Sequence, residues 1–443
     1  MLLNFSVNNW MSYRDDAELN LMSSLERQHG ETLTDLPGFK HKHVLPIAAI
    51  YGGNASGKTN IFRALFSLKL MVTTDCGVSG VLPIEPFLLD STSSKSPSSF
   101  DITFLAGACV YRYYLEATRD RVAYESLEVR TPKRDYVVFE RDEEHGDYSF
   151  GGGVFKEVEH VEYAARSTRG NQLFLQSAVA QNVDELLEPY EWFSQSLDLI
   201  GVGSQAWSFA TALGSRDGFL DFASNALAKL DTGITRLVGE PAGEDALPRD
   251  AELRRRAASL GDDELLTVVL EGPAGDYGFE MLTVRKGTSG PEIERLRTVH
   301  AGFDGNERFF SLGMESSGTK RLMGLLPMLF DLSTERAGET KVCVVDELDR
   351  CLHTMLTKKL IGDIVATCGS GTRKQMLFTT HDLLLMDQSI MRRDEMYVAE
   401  RGSDGNSQLI ALSDYKDLRF DKDLVKSYLD GRFGGIPMFC AGA

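Results

Sequence analysis

The run Gly52-Gly-Asn-Ala-Ser-Gly57-Lys58-Thr59 constrains this chain more than any other feature. It satisfies G-x-x-x-x-G-K-[ST], and its flanks are the ones that pattern requires. Before it, residues 44–51 (Val-Leu-Pro-Ile-Ala-Ala-Ile-Tyr) form a short apolar run that reads as a buried strand. After it, Ile61, Ala64, Leu65, Leu68 and Met71 recur at helical spacing, which predicts a helix with one buried face. Strand, glycine-rich turn and helix in this order predict an α/β fold. The chemistry follows from the same residues. Phosphate oxygens need converging N–H donors at a helix N-terminus; Gly52 and Gly57 let the backbone wrap, Lys58 supplies charge, and the Thr59 hydroxyl can ligate magnesium. With Gly53, Asn54, Ala55, Ser56 and Asn60 filling the rest, residues 52–60 are the candidate nucleotide-binding run. A chance glycine-rich turn is the alternative, and the flanks disfavour it.

Further along, the pattern changes twice. Strand-like runs at 100–105, 109–117, 122–129 and 136–140, with an opening strand near Leu2–Val7 and its return at Ala17–Met22, predict an antiparallel β layer. From about Thr168 to Leu237 the apolar residues fall at helical spacing, and residues 239–248 are rich in turn formers, with a charged helix expected from Asp250 to Leu260. Strands return at 264–270 and 277–285; helix, strand and helix then run through 317–332, 341–346 and 352–366, and 375–380 is a last buried strand. That alternation predicts a parallel sheet that includes residues 44–51 and is split by the intervening segment. The expected division is 1–160 and 261–443 as two parts of one head, with a helical insertion at 161–260.

Three more segments carry candidate chemistry. Lys341-Val-Cys-Val-Val-Asp346-Glu347 is an apolar strand ending in two acids, suited to a magnesium-binding Asp346 and to Glu347 as the base for an attacking water. Strands also end in acidic turns without any metal. Glu315-Ser316-Ser317-Gly318-Thr319 opens a helix whose small residues leave N–H groups bare at its positive end, either a second phosphate surface or a plain cap. Phe378-Thr-Thr-His381-Asp382 ends the last strand on a histidine able to reach a γ-phosphate, with a structural histidine as the alternative.

Composition narrows the function classes. The chain has 443 residues, 42% hydrophobic and 25% charged, as in an ordinary globular protein. Its formal net charge of −18 repels a phosphate backbone unless Lys and Arg gather locally, so nucleic acid as a partner stays open rather than expected. Arg254-Arg-Arg256 sits among acids and reads as a solvated helix face. Six scattered cysteines make neither a disulfide framework nor a zinc site, and His41-Lys-His43 lacks a third ligand. No signal-like start and no apolar run near the ~20 residues of a membrane span are present. A reducing cytoplasm fits, and no membrane partner is expected.

In their order, these four elements resemble ABC-type ATPases of the SMC kind: Walker A, signature helix, Walker B and H-loop. More narrowly, the chain is similar to the bacterial AAA-15/AAA-21 ATPases, which include RloA-like proteins, the ATPase subunit of the PARIS phage-defence system and the ATPase half of OLD nucleases. Val7-Asn-Asn-Trp-Met-Ser-Tyr-Arg14, Pro86-Phe87, Tyr111-Arg-Tyr-Tyr114, Glu125-Ser-Leu127 and Lys426–Pro437 carry that likeness. The resemblance implies an ABC-type P-loop head, a mixed sheet flanked by helices and joined to an antiparallel β layer, with ATP and Mg2+ as cofactors. It implies Glu347 and His381 as catalytic groups, Thr59 and Asp346 on the metal, Ser316, Ser317 and Gly318 as the signature, and Asp349 as the D-loop aspartate. It further implies a homodimer or higher homo-oligomer with shared ATP sites, a separate protein effector in phage defence, or else DNA clamping of the RecF type. About sixty residues follow His381, too few for the Toprim nuclease domain of OLD proteins.

Overall fold

The structure is a computed structural model describing residues 1–143, 145–203, 205–262, 264–271, 279–288, 290–334, 339–415 and 423–434. Residues 277–278 of the expected strand 277–285 and the end of the Lys426–Pro437 motif lie outside the described residues. The chain divides into two compact units, Met1–Ile200 with Arg336–Leu348 and Lys358–Ala443, and Gly201–Glu335 with Asp349–Thr357.

The first unit holds the glycine-rich loop. Its six-stranded sheet runs in the order Leu197–Ile200, Lys341–Val345, Lys374–Thr379, Ile47–Tyr51, Met396–Arg401, Ser407–Ala411. All neighbours pair parallel except the last two, which form a hairpin. The central strands are buried along their length, every residue of Ile47–Tyr51 and of Lys374–Thr379 included, as expected of a parallel sheet covered on both faces. Parallel register aligns the strand ends: Val345 lies beside Phe378, and Thr379 beside Ile50. The turns after three of these strands therefore open at one edge, where α/β sheets bind ligands.

A seven-stranded antiparallel sheet forms the other layer, in the order Asp147–Phe150, Tyr136–Asp142, Val122–Arg130, Cys109–Ala117, Ser98–Ala106, Leu2–Asn8, Ala17–Asn20. Along Ser98–Ala106 buried and half-buried residues alternate, which presents one apolar face. That face, the helix Lys58–Thr73 and the parallel strands share one core that includes Phe5, Phe100, Phe104, Ile61, Leu65, Leu68, Val342 and Leu377. The helices Val158–Ser167 and Phe174–Ala180 contribute Val161, Phe174 and Leu175 to the same core. Inside it, the Glu125 carboxylate accepts from the N–H groups of Phe174 and Leu175 and faces Arg141 at 3.5 Å.

The second unit has its own sheet, Ile234–Ala242, Pro291–Ala301, Phe279–Lys286 and Leu265–Glu271, with Glu307–Ser311 also on Pro291–Ala301. Leu266, Leu282, Val284 and Ile293 form its core with Leu247, Ala257 and Leu260. Phe209, Phe219, Phe222 and Phe330 stack edge to face and join the helices Gln205–Ser215, Phe219–Lys229 and Ser317–Ser333.

Two expectations change. The turn-rich segment at 239–248 begins as strand, because Ile234–Ala242 pairs with Pro291–Ala301 through Ala242. The helical stretch from 168 to 237 contains the strand Leu197–Ile200, which joins the nucleotide sheet beside Lys341–Val345. The expected segment 161–260 thus contributes residues to both units.

Candidate functional site

The loop after Ile47–Tyr51 needs its glycines. Gly52 (φ 151°) and Gly57 (φ 109°) occupy backbone conformations disfavoured for L-residues, and a Cβ at Gly52 would stand 2.4 Å from the Ala399 carbonyl oxygen. Asn54 and Ala55 are exposed at the tip, while Ser56, Gly57 and Lys58 are buried. Lys58 curls back: its Nζ donates to the carbonyls of Gly52 and Gly53, both at 2.8 Å, and lies 3.4 Å from His381 Nδ1. The ammonium and the helix N-terminus Lys58–Thr73 thus bring positive potential to the loop.

The acidic turn sits across from it. Thr59 Oγ1 donates to Asp346 Oδ1 at 3.1 Å, and Thr379 Oγ1 donates to the same oxygen at 2.7 Å. Thr379 Oγ1 in turn accepts from the Glu347 N–H at 2.8 Å, and the Thr379 carbonyl accepts from Leu348 N. These bonds fix Glu347 with φ at 49°, a left-handed conformation that costs a glutamate free energy. Its carboxylate Oε1 lies 3.9 Å from His381 Nε2, with both side chains partly exposed. Lys58, Thr59, Asp346, Glu347 and His381 are therefore one constellation at the sheet edge. Thr379 lies at its centre, a residue that sequence reading passed over although it stands two before His381.

The donor set suits magnesium. Cis ligands of an octahedral ion with ~2.05 Å bonds lie about 2.9 Å apart, close to the Thr59–Asp346 separation, and both donors are hard oxygens. Among the described residues no group of three or more His, Cys, Asp and Glu could hold a metal, so such an ion would rest on few protein ligands, as magnesium on a nucleotide does.

The segment Trp10–Arg14 braces the start of the helix. Trp10 Nε1 donates to the Asn60 carbonyl at 2.9 Å, Tyr13 OH to the Gly57 carbonyl at 3.2 Å, and Asn60 Nδ2 to Ser12 Oγ at 2.7 Å. Burial pushes the Tyr13 hydroxyl well above its usual pKa, so it stays a neutral donor. Arg14 turns instead to Asp15 and Asp404, at 3.1 and 3.3 Å.

Ser316, Ser317, Gly318, Asp349 and the Arg254–Arg256 run belong to the second unit, and His43 to the first. Ser316 caps the helix Ser317–Ser333, its Oγ accepting from Thr319 N at 3.1 Å, and Ser316 and Ser317 are exposed. A Cβ on Gly318 would stand 2.8 Å from the Cys351 carbonyl oxygen. Asp349 opens the turn there, its carbonyl accepting from Leu352 N at 3.0 Å. On the helix Ala251–Ala258, Arg254 donates to the Pro248 and Leu247 carbonyls and Arg255 to the Ala251 carbonyl, which engages those guanidinium groups within their own segment. His43 bonds Asp35 at 2.8 Å.

The family model described as AAA domain, putative AbiEii toxin, Type IV TA system matches residues 47–171 and 188–387, from the glycine-rich loop through His381. The chain belongs to this AAA family. No curated protein sequence matches it. Solved structures similar to it include the SMC head bound to the C-winged-helix domain of ScpA, at 13% identity and TM-score 0.44 over 94% of this chain and 99% of that one. The SMC head domain from Thermotoga maritima is similar at 12% identity and TM-score 0.36, over 93% and 98%. No helix among the described residues is long and apolar enough to cross a membrane.

Proposed function

We propose that this AAA-family chain hydrolyses ATP, and that the observation carrying the reading is the joining of Thr59, Asp346 and Glu347 through Thr379 beside Lys58. Residues 52–60 hold the triphosphate, the loop N–H groups and Lys58 meeting its β- and γ-oxygens. Thr59 and Asp346 would hold Mg2+, which when bound would supply positive charge against the phosphates. Glu347 takes the proton of the attacking water as the water oxygen bonds to the γ-phosphorus and the bond from that phosphorus to the bridging oxygen breaks, its electron pair leaving with ADP. His381, in reach of both Glu347 and Lys58, orients the γ-phosphate end of the site.

Ser316, Ser317, Gly318 and Asp349 complete the nucleotide site of a second copy, which makes the active form at least a homodimer. The family description names a putative toxin of a type IV TA system. That description, with the motif likeness to phage-defence ATPases, supports a cytoplasmic sensor whose nucleotide state holds or releases a separate protein effector.

Steady-state phosphate release by the purified chain tests the chemistry. Glu347→Gln is expected to keep ATP binding and lose turnover, and Lys58→Ala to lose binding. Wild-type turnover in Glu347→Gln would remove the base from this scheme. Co-purification with the products of neighbouring genes tests the effector. A low-salt DNA complex abolished by neutralising Arg254, Arg255 and Arg256 would instead favour DNA clamping.

A further inference from the structure

Two hairpins of the chain close on the same five-residue pattern, Gly302-Phe-Asp-Gly-Asn306 and Gly402-Ser-Asp-Gly-Asn406. Their turns are bonded alike. In each, the first glycine N–H donates to the asparagine carbonyl at 2.8 Å, the second to the first glycine's carbonyl at 3.0 Å, and the asparagine N–H to the aspartate carboxylate at 3.1 Å. The asparagine side chains differ. Asn306 is exposed, and its amide bonds Asp304 inside its own turn. Asn406 is only 3% exposed; its Oδ1 accepts from Arg14 N at 2.8 Å and its Nδ2 donates to Asp15 Oδ2 at 2.9 Å. The turn does not need those two bonds, since its twin forms without them.

What they do is tie the hairpin to the segment that braces the loop. The next residue, Ser407, is 2% exposed; it donates from its N–H to the Ser12 carbonyl at 2.7 Å and from its Oγ to Ser12 Oγ at 2.9 Å. Ser12 Oγ also accepts from Asn60 Nδ2. At Gly57 a Cβ would stand 2.8 Å from Ser407 Oγ and 2.9 Å from Ser12 Oγ, so both hydroxyls press on the loop backbone where it enters the helix.

We infer that Asn406 and Ser407 are positioning residues for the phosphate loop: they hold Ser12 against Gly57 and Asn60, and so set the affinity of residues 52–60 for a nucleoside triphosphate. This rests on the reading of that run as the nucleotide site. A loop that presents converging N–H groups only part of the time binds more weakly by the fraction of time it is competent, while the chemical step after binding is unchanged. The clamp therefore acts on KM and Kd and spares kcat.

The test measures Kd for ATP and the KM and kcat of phosphate release, alongside thermal unfolding. Asn406→Asp places two carboxylates at the 2.9 Å contact with Asp15. It should weaken ATP binding about tenfold, with kcat within about twofold. Adding Asp15→Asn in the same chain restores a donor and an acceptor at that contact and should return Kd to within about twofold of wild type. Ser407→Ala removes one hydroxyl and should weaken binding about fivefold, the size of one hydrogen bond. Ser12→Ala combined with it should cost less than the two single changes multiplied together, because the two hydroxyls share a bond. Wild-type ATP affinity in both Asn406→Asp and Ser407→Ala overturns the inference while leaving the nucleotide site standing. Absence of ATP binding by the wild-type chain overturns the site itself.

Discussion

Replacing Thr379 with Val tests whether the acidic turn is held as its geometry requires. The two side chains have nearly the same shape, so the packing of a residue only 2% exposed is kept while its hydroxyl goes. Two bonds are lost, the 2.7 Å donation to Asp346 Oδ1 and the 2.8 Å acceptance from the Glu347 N–H. A hydrogen bond to a charged group contributes about 1.5–3 kcal/mol, and a buried N–H left without a partner costs about 1–3 kcal/mol. Asp346 keeps the Thr59 hydroxyl, which places the total near the low end, about 3 kcal/mol of stability. The catalytic effect is separate. Glu347 is held at φ 49° partly by the bond to Thr379, and in the proposed mechanism releasing it lets the carboxylate leave the attacking water. A positioning loss of about 1.4–2.8 kcal/mol lowers kcat about ten- to a hundredfold. ATP affinity without magnesium should stay near wild type, because the Lys58 loop is untouched. Thr379→Ser retains the hydroxyl and should recover most of kcat. A Thr379→Val enzyme within twofold of the wild-type kcat would refute the account of how Glu347 is aimed.

Gly57→Ala should weaken ATP binding and lower the unfolding temperature together, since the new Cβ meets two hydroxyls below 3.0 Å at φ 109°; nucleotide titration and calorimetry read both. Stability should also depend on Glu395, whose carboxyl is pushed up to about 8 first by burial and then by neighbours that include Asp394. Its folded pKa lies above the ordinary 4.5, so the native state holds a proton that the unfolded chain releases, and stability falls as pH rises between those values. Glu395→Gln keeps an acceptor for the Arg392 N–H, so it should raise the unfolding temperature at pH 8.5 and leave it unchanged at pH 4. Finally, Lys58→Ala and Gly318→Glu chains, each inactive alone, should regain part of the ATPase rate when mixed if signature and loop meet between copies. Mixed oligomers verified by mass with no recovered activity would place each site within one chain.

The glycine-rich loop was legible because its signal is local. Gly52, Gly57 and Lys58 stand within seven residues, and both the buried strand before them and the helix after them announce themselves by period. The strands Lys341–Val345 and Lys374–Thr379 were legible for the same reason, through the apolar runs Val342–Val345 and Met376–Phe378 with buried residues on both faces. Leu197–Ile200 was not: it is four residues long, follows the helical turns Leu187–Ser196, and becomes a strand only by pairing with Lys341–Val345 far along the chain. Tertiary pairing there outweighs the helical pattern of the surrounding sequence.

The same distinction separates the acids that sequence reading found from the hydroxyls it missed. Asp346 and Glu347 end a buried strand in a chain that also carries a glycine-rich phosphate loop, and that combination marked them. Thr379 and Ser407 are residues at home in any strand, and their residue type alone gives neither of them a role. Their roles come from register. Thr379 stands beside Ile50 on one side, and on the other Phe378 pairs with Val345, so the next residue of each strand brings the Thr379 hydroxyl to Asp346. Asn406 shows the point within one chain, since its twin at Asn306 closes the same turn on the same Gly-x-Asp-Gly-Asn pattern yet stays in solvent. A motif search reports what a segment can do by itself; long-range pairing decides which plain hydroxyl or amide is drawn into the site. For this protein the test of that argument is chemical, because Thr379→Ser should keep most of kcat where Thr379→Val loses it, although the motif around His381 assigns the Thr379 hydroxyl no part.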